Sequence, residues 1–294
     1  MGPATGVMSP RALAAAFVLF LALVAPTAAA AAVGKPNVAA LQVALRARGL
    51  YVGTIDGLAG PSTTIGVRRF QRRARIAVDG IAGAQTRRAL GRYARHRFGT
   101  RLLDMGKSGW DVAALQFALA THGFPSGTLD GGFGSHTDAA LRRFQRFARL
   151  GADGVAGPAT YAALRRLPPR SPISVRRPVR ASVGDRFGPR DNRFHTGIDF
   201  VASSGANVRA AATGRVVHAG WDSGGYGYLV TLRHGNGVRT LYAHLSAVLV
   251  HRGQRIAAGV RLGRVGATGH AFGPHLHFEV RVRGAAVDPL PALR

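Results

Sequence analysis

The sequence predicts a multidomain chain in which two small all-α units precede an all-β domain. Two observations carry this reading. Val38–Leu90 and Val112–Leu164 align without a gap at an offset of 74 residues, with 28 identities in 53 positions, and both space their apolar residues helically. Beyond residue 180 the pattern changes to short alternating runs punctuated by glycine, as a half-buried sheet requires.

At the N-terminus, Arg11 is followed by the apolar run Ala12–Ala25 and by small residues over Thr27–Ala32. This pattern predicts a secretory signal peptide over residues 1–32, cleaved after one of the alanines at 28–32. The fourteen-residue run is short against the roughly 20 residues a spanning helix needs, so no stable membrane span is expected after cleavage. Export is the expectation. The absence of cysteine removes disulfides and thiolate metal sites from consideration, and is compatible with export.

The repeated units are expected over residues 36–93 and 108–166. Leu41, Ala44 and Leu45, then Val67, Phe70 and Ala74, follow helical spacing, and the second unit repeats this with Leu115, Ala118, Leu119, Leu141, Phe144 and Ala148. Both units carry V-A-A-L-Q, R-R-F-Q-R and two copies of D-G-x-x-G-x-x-T, which start at Asp56, Asp79, Asp130 and Asp153. Each copy supplies a turn glycine and places a polar cap near a helix start, so its Asp and Gly read as turn formers. The period is too long for a solenoid, and two separate small domains are expected. Residues 167–180, with Pro168, Pro169, Pro172, Pro178 and several arginines, are expected to form an extended, semi-rigid spacer.

Within 181–294, Tyr228–Arg233 and Val238–Ala243 are alternating runs around Asn236-Gly237, a type I′ hairpin signal. Three histidine motifs punctuate this region: His195-Thr-Gly-Ile-Asp199, Tyr242-Ala-His244-Leu and Pro274-His275-Leu-His277-Phe. On a strand, His195 and Asp199 share a face with Gly197 between them, and so do His275 and His277, while Leu276, Phe278 and Val280 point to the core. Glu279 lies on the histidine face by parity, either behind a ligand or as a surface carboxylate. Imidazole and carboxylate groups at these spacings suit one zinc ion, which in catalytic sites takes three protein ligands and leaves a fourth position to water. The other histidines (His96, His122, His136, His218, His234, His251 and His270) read as satisfied or solvated residues.

The stretch from Asp185 to Leu290 resembles the lysostaphin-type (LytM-like) zinc metallopeptidases that cut peptide cross-bridges in bacterial peptidoglycan. The matching text is R-F-G-P-R, H-T-G-I-D-F, G-G-Y-G, H-G-N-G, Y-A-H-L-S and G-A-T-G with G-P-H-L-H-F-E-V. The resemblance implies an all-β barrel-sandwich with its site in a groove, His195, Asp199 and His277 as ligands of one Zn2+, and His244 and His275 as the catalytic pair. It also implies a cell-wall or periplasmic location. Both repeated units are similar to the three-helix peptidoglycan-binding domain found beside many cell-wall hydrolases, which implies peptidoglycan as the partner and a tethering role.

Composition bounds the alternatives. A net charge of +27, almost all from arginine, fits polyanionic surroundings such as anionic cell-wall polymers. The arginines are spread along the sequence, and nucleic acid is not an expected partner of an exported chain. No H-E-x-x-H supplies a glutamate base, so proton handling falls to imidazole. No G-x-S-x-G elbow is present, and with only 13 acidic residues no carboxylate pair stands out for glycoside hydrolysis. The alternative to an endopeptidase is a non-catalytic, wall-binding activator of other hydrolases.

Overall fold

The computed structural model describes Gly2 and residues 34–294. The segment read as a signal peptide therefore lies, Gly2 aside, outside the described residues. Among those described, no helix is long and apolar enough to cross a membrane.

The first repeat forms α1 (Pro36–Arg46), α2 (Pro61–Arg73) and α3 (Ala84–Ala89), and the second forms α4 (Trp110–Thr121), α5 (Ser135–Phe147) and α6 (Pro158–Leu164). The D-G-x-x-G-x-x-T copies act differently from the polar caps expected of them. The N-cap positions of α2, α3, α5 and α6 are Gly60, Gly83, Gly134 and Gly157, with no side-chain cap. The Thr of each copy lies inside the helix and is buried beside a glutamine. Gln42, Gln71, Gln116 and Gln145 each donate to the Asp and Thr of one copy and accept from the N–H of its glycine. The same Asp oxygen accepts from the N–H two residues on, closing a tight turn. One buried amide thus satisfies a whole turn, four times over, which explains why V-A-A-L-Q and R-R-F-Q-R recur with their glutamines.

The two repeats share a core. α1 packs on α4, and Trp110, Ala113, Ala114 and Phe117 of α4 join Ala40, Leu41 and Leu45 in one core. Val112, Leu115, Ala118 and Leu119 of α4 fill the core of the second repeat. A helix buried on every side has no solvent face to show, so the apolar residues of α4 are not confined to one stripe and its Asp111 and Gln116 are buried among them.

The expected spacer is also only partly one. Val175 and Val179 are buried in the β core. Val175 N–H donates to Ala292 O, Arg176 N–H to Ala211 O, and Arg209 N–H to Pro178 O, each at 2.8 Å. The second half of the proline-rich segment is therefore stitched to the β domain.

That domain comprises β1 (Ser182–Val183), β2 (Gly188–Arg190), β3 (Arg193–His195), β4 (Ile198–Val201), β5 (Asn207–Arg209), β6 (Gly214–Asp222), β7 (Gly227–Arg233), β8 (Val238–Val248), β9 (Arg255–Ile256), β10 (Arg261–Val265), β11 (Leu276–Val282) and β12 (Ala285–Val287). Ten strands form a branched antiparallel sheet whose main path runs β1-β4-β11-β8-β7-β6-β9, with β2 and β3 as a separate hairpin. The sheet is open, so the barrel closure implied by the resemblance does not occur. β7 and β8 are the predicted hairpin, and Asn236 and Gly237 both have positive φ, as a type I′ turn demands. Ile198, Phe200, Tyr242, Leu276, Phe278 and Val280 pack on the core face.

Replacing Gln116 by Ala should strand Asp130, Thr137 and the Gly131 N–H without their buried partner. The expected loss is about 1–3 kcal/mol of unfolding free energy, measured by chemical denaturation, whereas a merely surface-like change below about 0.5 kcal/mol would show that the amide network is not a folding determinant.

Candidate metal centre

Strand β11 lies between β4 and β8, and its register places His277 opposite Asp199 on one side and Ala243 on the other. Alternation sends Leu276, Phe278 and Val280 into the core and leaves His275, His277, Glu279 and Arg281 on the opposite face. His195 and Asp199 do not share one strand as the spacing predicted. His195 ends β3 and Asp199 lies in β4, with Thr196-Gly197 turning between the two sheets. Gly197 is required by close approach: a Cβ there would lie 2.4 Å from Phe278 O and 3.0 Å from the His277 ring.

These elements bring three donor atoms together. His195 Nε2 is 3.2 Å from Asp199 Oδ1 and 3.0 Å from His277 Nδ1, and His277 Nδ1 is 2.8 Å from Asp199 Oδ1. All three residues are buried, and among the described residues they form a cluster able to hold a metal ion. Ligand atoms at about 2.0–2.1 Å from a tetrahedral ion lie roughly 3.3 Å apart, so the triad needs only slight expansion to take one.

Around the triad, ring orientation is set by hydrogen bonds. His195 Nδ1–H donates to Arg186 O at 2.9 Å, which leaves Nε2 bare toward Asp199. His277 is arranged the other way: Nε2 meets Glu279 Oε1 at 3.1 Å and Nδ1 faces the triad. Glu279, the chain's single glutamate, is wholly buried. Its Oε1 also accepts from Thr196 Oγ1 at 2.6 Å and Tyr226 Oη at 2.7 Å, and its Oε2 from Arg281 Nε at 2.6 Å. Arg281 in turn donates to Tyr226 Oη at 2.8 Å.

Electrostatics follows these contacts. Burial works against the charge on Asp199, but the imidazoles of His195 and His277 facing it outweigh burial and hold the carboxyl well below the usual carboxylate range. Glu279 is held low likewise: burial opposes ionisation, and the Arg281 guanidinium and then His277 more than offset it. Burial disfavours a charged His277, yet Asp199 and Glu279 lift it to about 9. Arg281 and the protonated His277 balance these two carboxylates, so a bound cation would take over the charge that the His277 proton supplies.

His244 and His275 stand beside the triad, with ring centroids 4.8 Å apart. Each donates Nδ1–H to a backbone carbonyl at 2.8 Å, His244 to Thr268 O and His275 to Gly273 O, so each keeps a bare Nε2. His275 Nε2 lies 3.9 Å from Asp199 Oδ1. Burial lowers His244 to about 4, against an opposing hydrogen bond to Thr268, and the ring is neutral near pH 7. His244 has φ +59, adjacent to a register shift between β7 and β8. A non-glycine residue in that region is strained, a feature concentrated at functional sites.

All five residues singled out in the sequence thus meet in one place. Thr196, Tyr226, Arg281 and the Thr268 carbonyl were missed. Arg281 could have been found by parity with His277 and Glu279, and Tyr226 lies in the G-G-Y-G segment, whereas Thr196 carries no signal of its own. Among the remaining histidines, His122 and His234 are satisfied by hydrogen bonds at both ring nitrogens.

Comparison with known proteins bears on this geometry. Residues 193–289 match Peptidase family M23, and residues 34–90 and 108–164 match the family described as "Putative peptidoglycan binding domain". The chain is 50% identical over 98 residues to the DD-carboxypeptidase/endopeptidase Mpg of Neisseria meningitidis, covering 33% of this chain and 22% of that protein. It is 38% identical over 121 residues to the murein hydrolase activator NlpD of Escherichia coli, covering 41% and 31%. The catalytic domain of lysostaphin from Staphylococcus simulans aligns at 34% identity and a TM-score of 0.36, over 38% of this chain and 90% of that domain. The chain spans less than a third of the length of either curated relative.

Glu279→Gln keeps the shape of the side chain and removes its charge. It is expected to weaken divalent-metal affinity by about 10–100-fold in competition with a chromogenic chelator. An unchanged affinity would show that Glu279 does not orient His277.

Proposed function

We propose that this chain, which carries a LytM-like peptidase M23 domain behind two domains of the peptidoglycan-binding type, is an exported zinc-dependent endopeptidase that hydrolyses peptide cross-links of the bacterial cell wall. The observation that carries the reading is the convergence of His195, Asp199 and His277 with the Nε2-bare pair His244 and His275. The donor set, two imidazoles and one carboxylate with no thiolate, suits zinc in a catalytic arrangement. When bound there, zinc supplies Lewis acidity that acidifies water and polarises a scissile carbonyl.

The chain's own residues do the rest. Asp199 and the imidazoles of His195 and His277 would hold the ion, and Glu279 keeps Nδ1 of His277 turned toward Asp199. His244 and His275, each anchored through Nδ1, offer Nε2 to orient the attacking water, move its proton and stabilise the tetrahedral oxyanion. The helical domains bring the site to an insoluble polymer and raise its effective concentration there. Arg143, Arg146, Arg149 and Arg283 line a cleft of about 420 Å³ with Phe124 and Phe147. No carboxylate is among these lining residues, which supports contact with anionic wall polymers.

A second reading, a non-catalytic wall-binding activator, is favoured by the likeness to NlpD. Digestion of purified muropeptides by the full chain, followed by mass spectrometry, separates the two. The expected outcome is new stem-peptide termini with about one zinc per chain, loss of both metal and cleavage in His195→Ala, and loss of cleavage with metal retained in His244→Ala. Muropeptides left intact by a zinc-loaded chain would favour the activator, and cleavage by metal-free His195→Ala would overturn the zinc reading.

A further inference from the structure

The helical repeats touch the β domain at the two hairpins that carry the imidazoles of the triad. The first is the β2–β3 hairpin, which ends in His195. At its tip Asp191 has φ +53, and the carbonyls of Asp191 and Asn192 both accept hydrogen bonds from the helical repeats. Ile55 N–H donates to Asp191 O and Leu129 N–H donates to Asn192 O, both at 2.8 Å. Ile55 and Leu129 are the same position of the two repeats, related by the 74-residue offset. The duplicated units therefore grip adjacent carbonyls with equivalent amides, one from each side. Arg46 of the first repeat adds an ion pair to the Asp191 carboxylate.

The second contact is the β11–β12 hairpin, whose first strand carries His277 and Glu279. Ala286 N–H donates to Gly123 O at 3.1 Å, and a Cβ on Gly123 would lie 2.2 Å from Ala286 O. Ala285 is buried in the core of the second repeat, and the Arg283 guanidinium lies 4.8 Å from the Phe147 ring centroid. The β2–β3 hairpin is not hydrogen-bonded into the ten-stranded sheet. The Arg186 carbonyl and the triad orient the His195 ring, and its backbone is placed by the Thr196-Gly197 turn behind it and by the helical repeats at the hairpin tip.

We propose that the paired repeats are a clamp on the metal centre: Arg46 and the amides of Ile55 and Leu129 act as positioning groups that hold the β2–β3 hairpin, and so His195, in the geometry the metal needs. The inference rests on the zinc reading above. It goes beyond tethering, because a tether is indifferent to the affinity of the site it carries. Linkage makes the clamp reciprocal: if gripping the hairpin favours metal, bound metal must tighten the grip by the same factor.

The test uses the full chain. Zinc affinity is measured by chelator competition, and exchange of the Ile55 and Leu129 amides is followed by hydrogen–deuterium exchange with zinc loaded and removed. Arg46→Glu, which sets two carboxylates face to face, is expected to weaken zinc binding by about fivefold or more. The double variant Arg46→Glu/Asp191→Arg should recover most of that loss, since Arg75, Arg149 and Arg283 already occupy the same positive-φ region in this chain. In the wild type, both amides should exchange more slowly with zinc than without. Equal zinc affinity in wild type and Arg46→Glu, with amides indifferent to zinc, overturns the clamp alone. A wild-type chain that takes up no zinc overturns the metal reading and the clamp with it.

Discussion

The pairing register of β11 is the constraint on which the site depends. Hydrogen-bonded to β4 on one edge and β8 on the other, this strand sets His277 across from Asp199 while Phe278 enters the core. Side chains alternate with a period of two, so a slip of one residue would drive His277 and Glu279 into apolar packing and expel Leu276, Phe278 and Val280. The apolar residues of β11 therefore specify the polar ones. Gly197 secures the same register from the neighbouring segment, because any side chain there would meet the backbone of β11.

A fully buried carboxylate would ordinarily be a liability. Glu279 is tolerated because Thr196, Tyr226, Arg281 and His277 supply donors to both of its oxygens, and Arg281 supplies the opposite charge. A buried ion pair of this kind is a weak source of net stability, since desolvation offsets most of the attraction. Its value is orientational. With Nε2 of His277 committed to Glu279, Nδ1 is the atom left to face Asp199, and the identity of the donor atom is decided by a group outside the triad.

Much of this is legible in the sequence. The histidine face of β11, the I′ turn at Asn236-Gly237 and the helical repeats all follow from periodicity and turn chemistry, which are local. The readings that failed depend on tertiary context. His195 and Asp199 look like one strand in the sequence, and only the packing of Gly197 on β11 shows why the chain must turn between them. The glutamines of V-A-A-L-Q and R-R-F-Q-R look like polar residues at a helix end until their distant Asp and Thr partners are seen. The proline-rich segment reads as a free spacer, yet Val175 and Val179 find a core to enter. The core that the two repeats share is hidden for a similar reason, because the burial of α4 on both flanks is a tertiary fact.

Gene duplication usually leaves two interchangeable parts, free to be lost, shuffled or multiplied. The shared burial of α4 withdraws that freedom. Excising the first copy would bare one greasy flank of this helix to water, and excising the second would take the helix away and uncover Ala40, Leu41 and Leu45, so the pair is inherited or discarded as a unit. What began as a repetition has become a single indivisible component of the molecule.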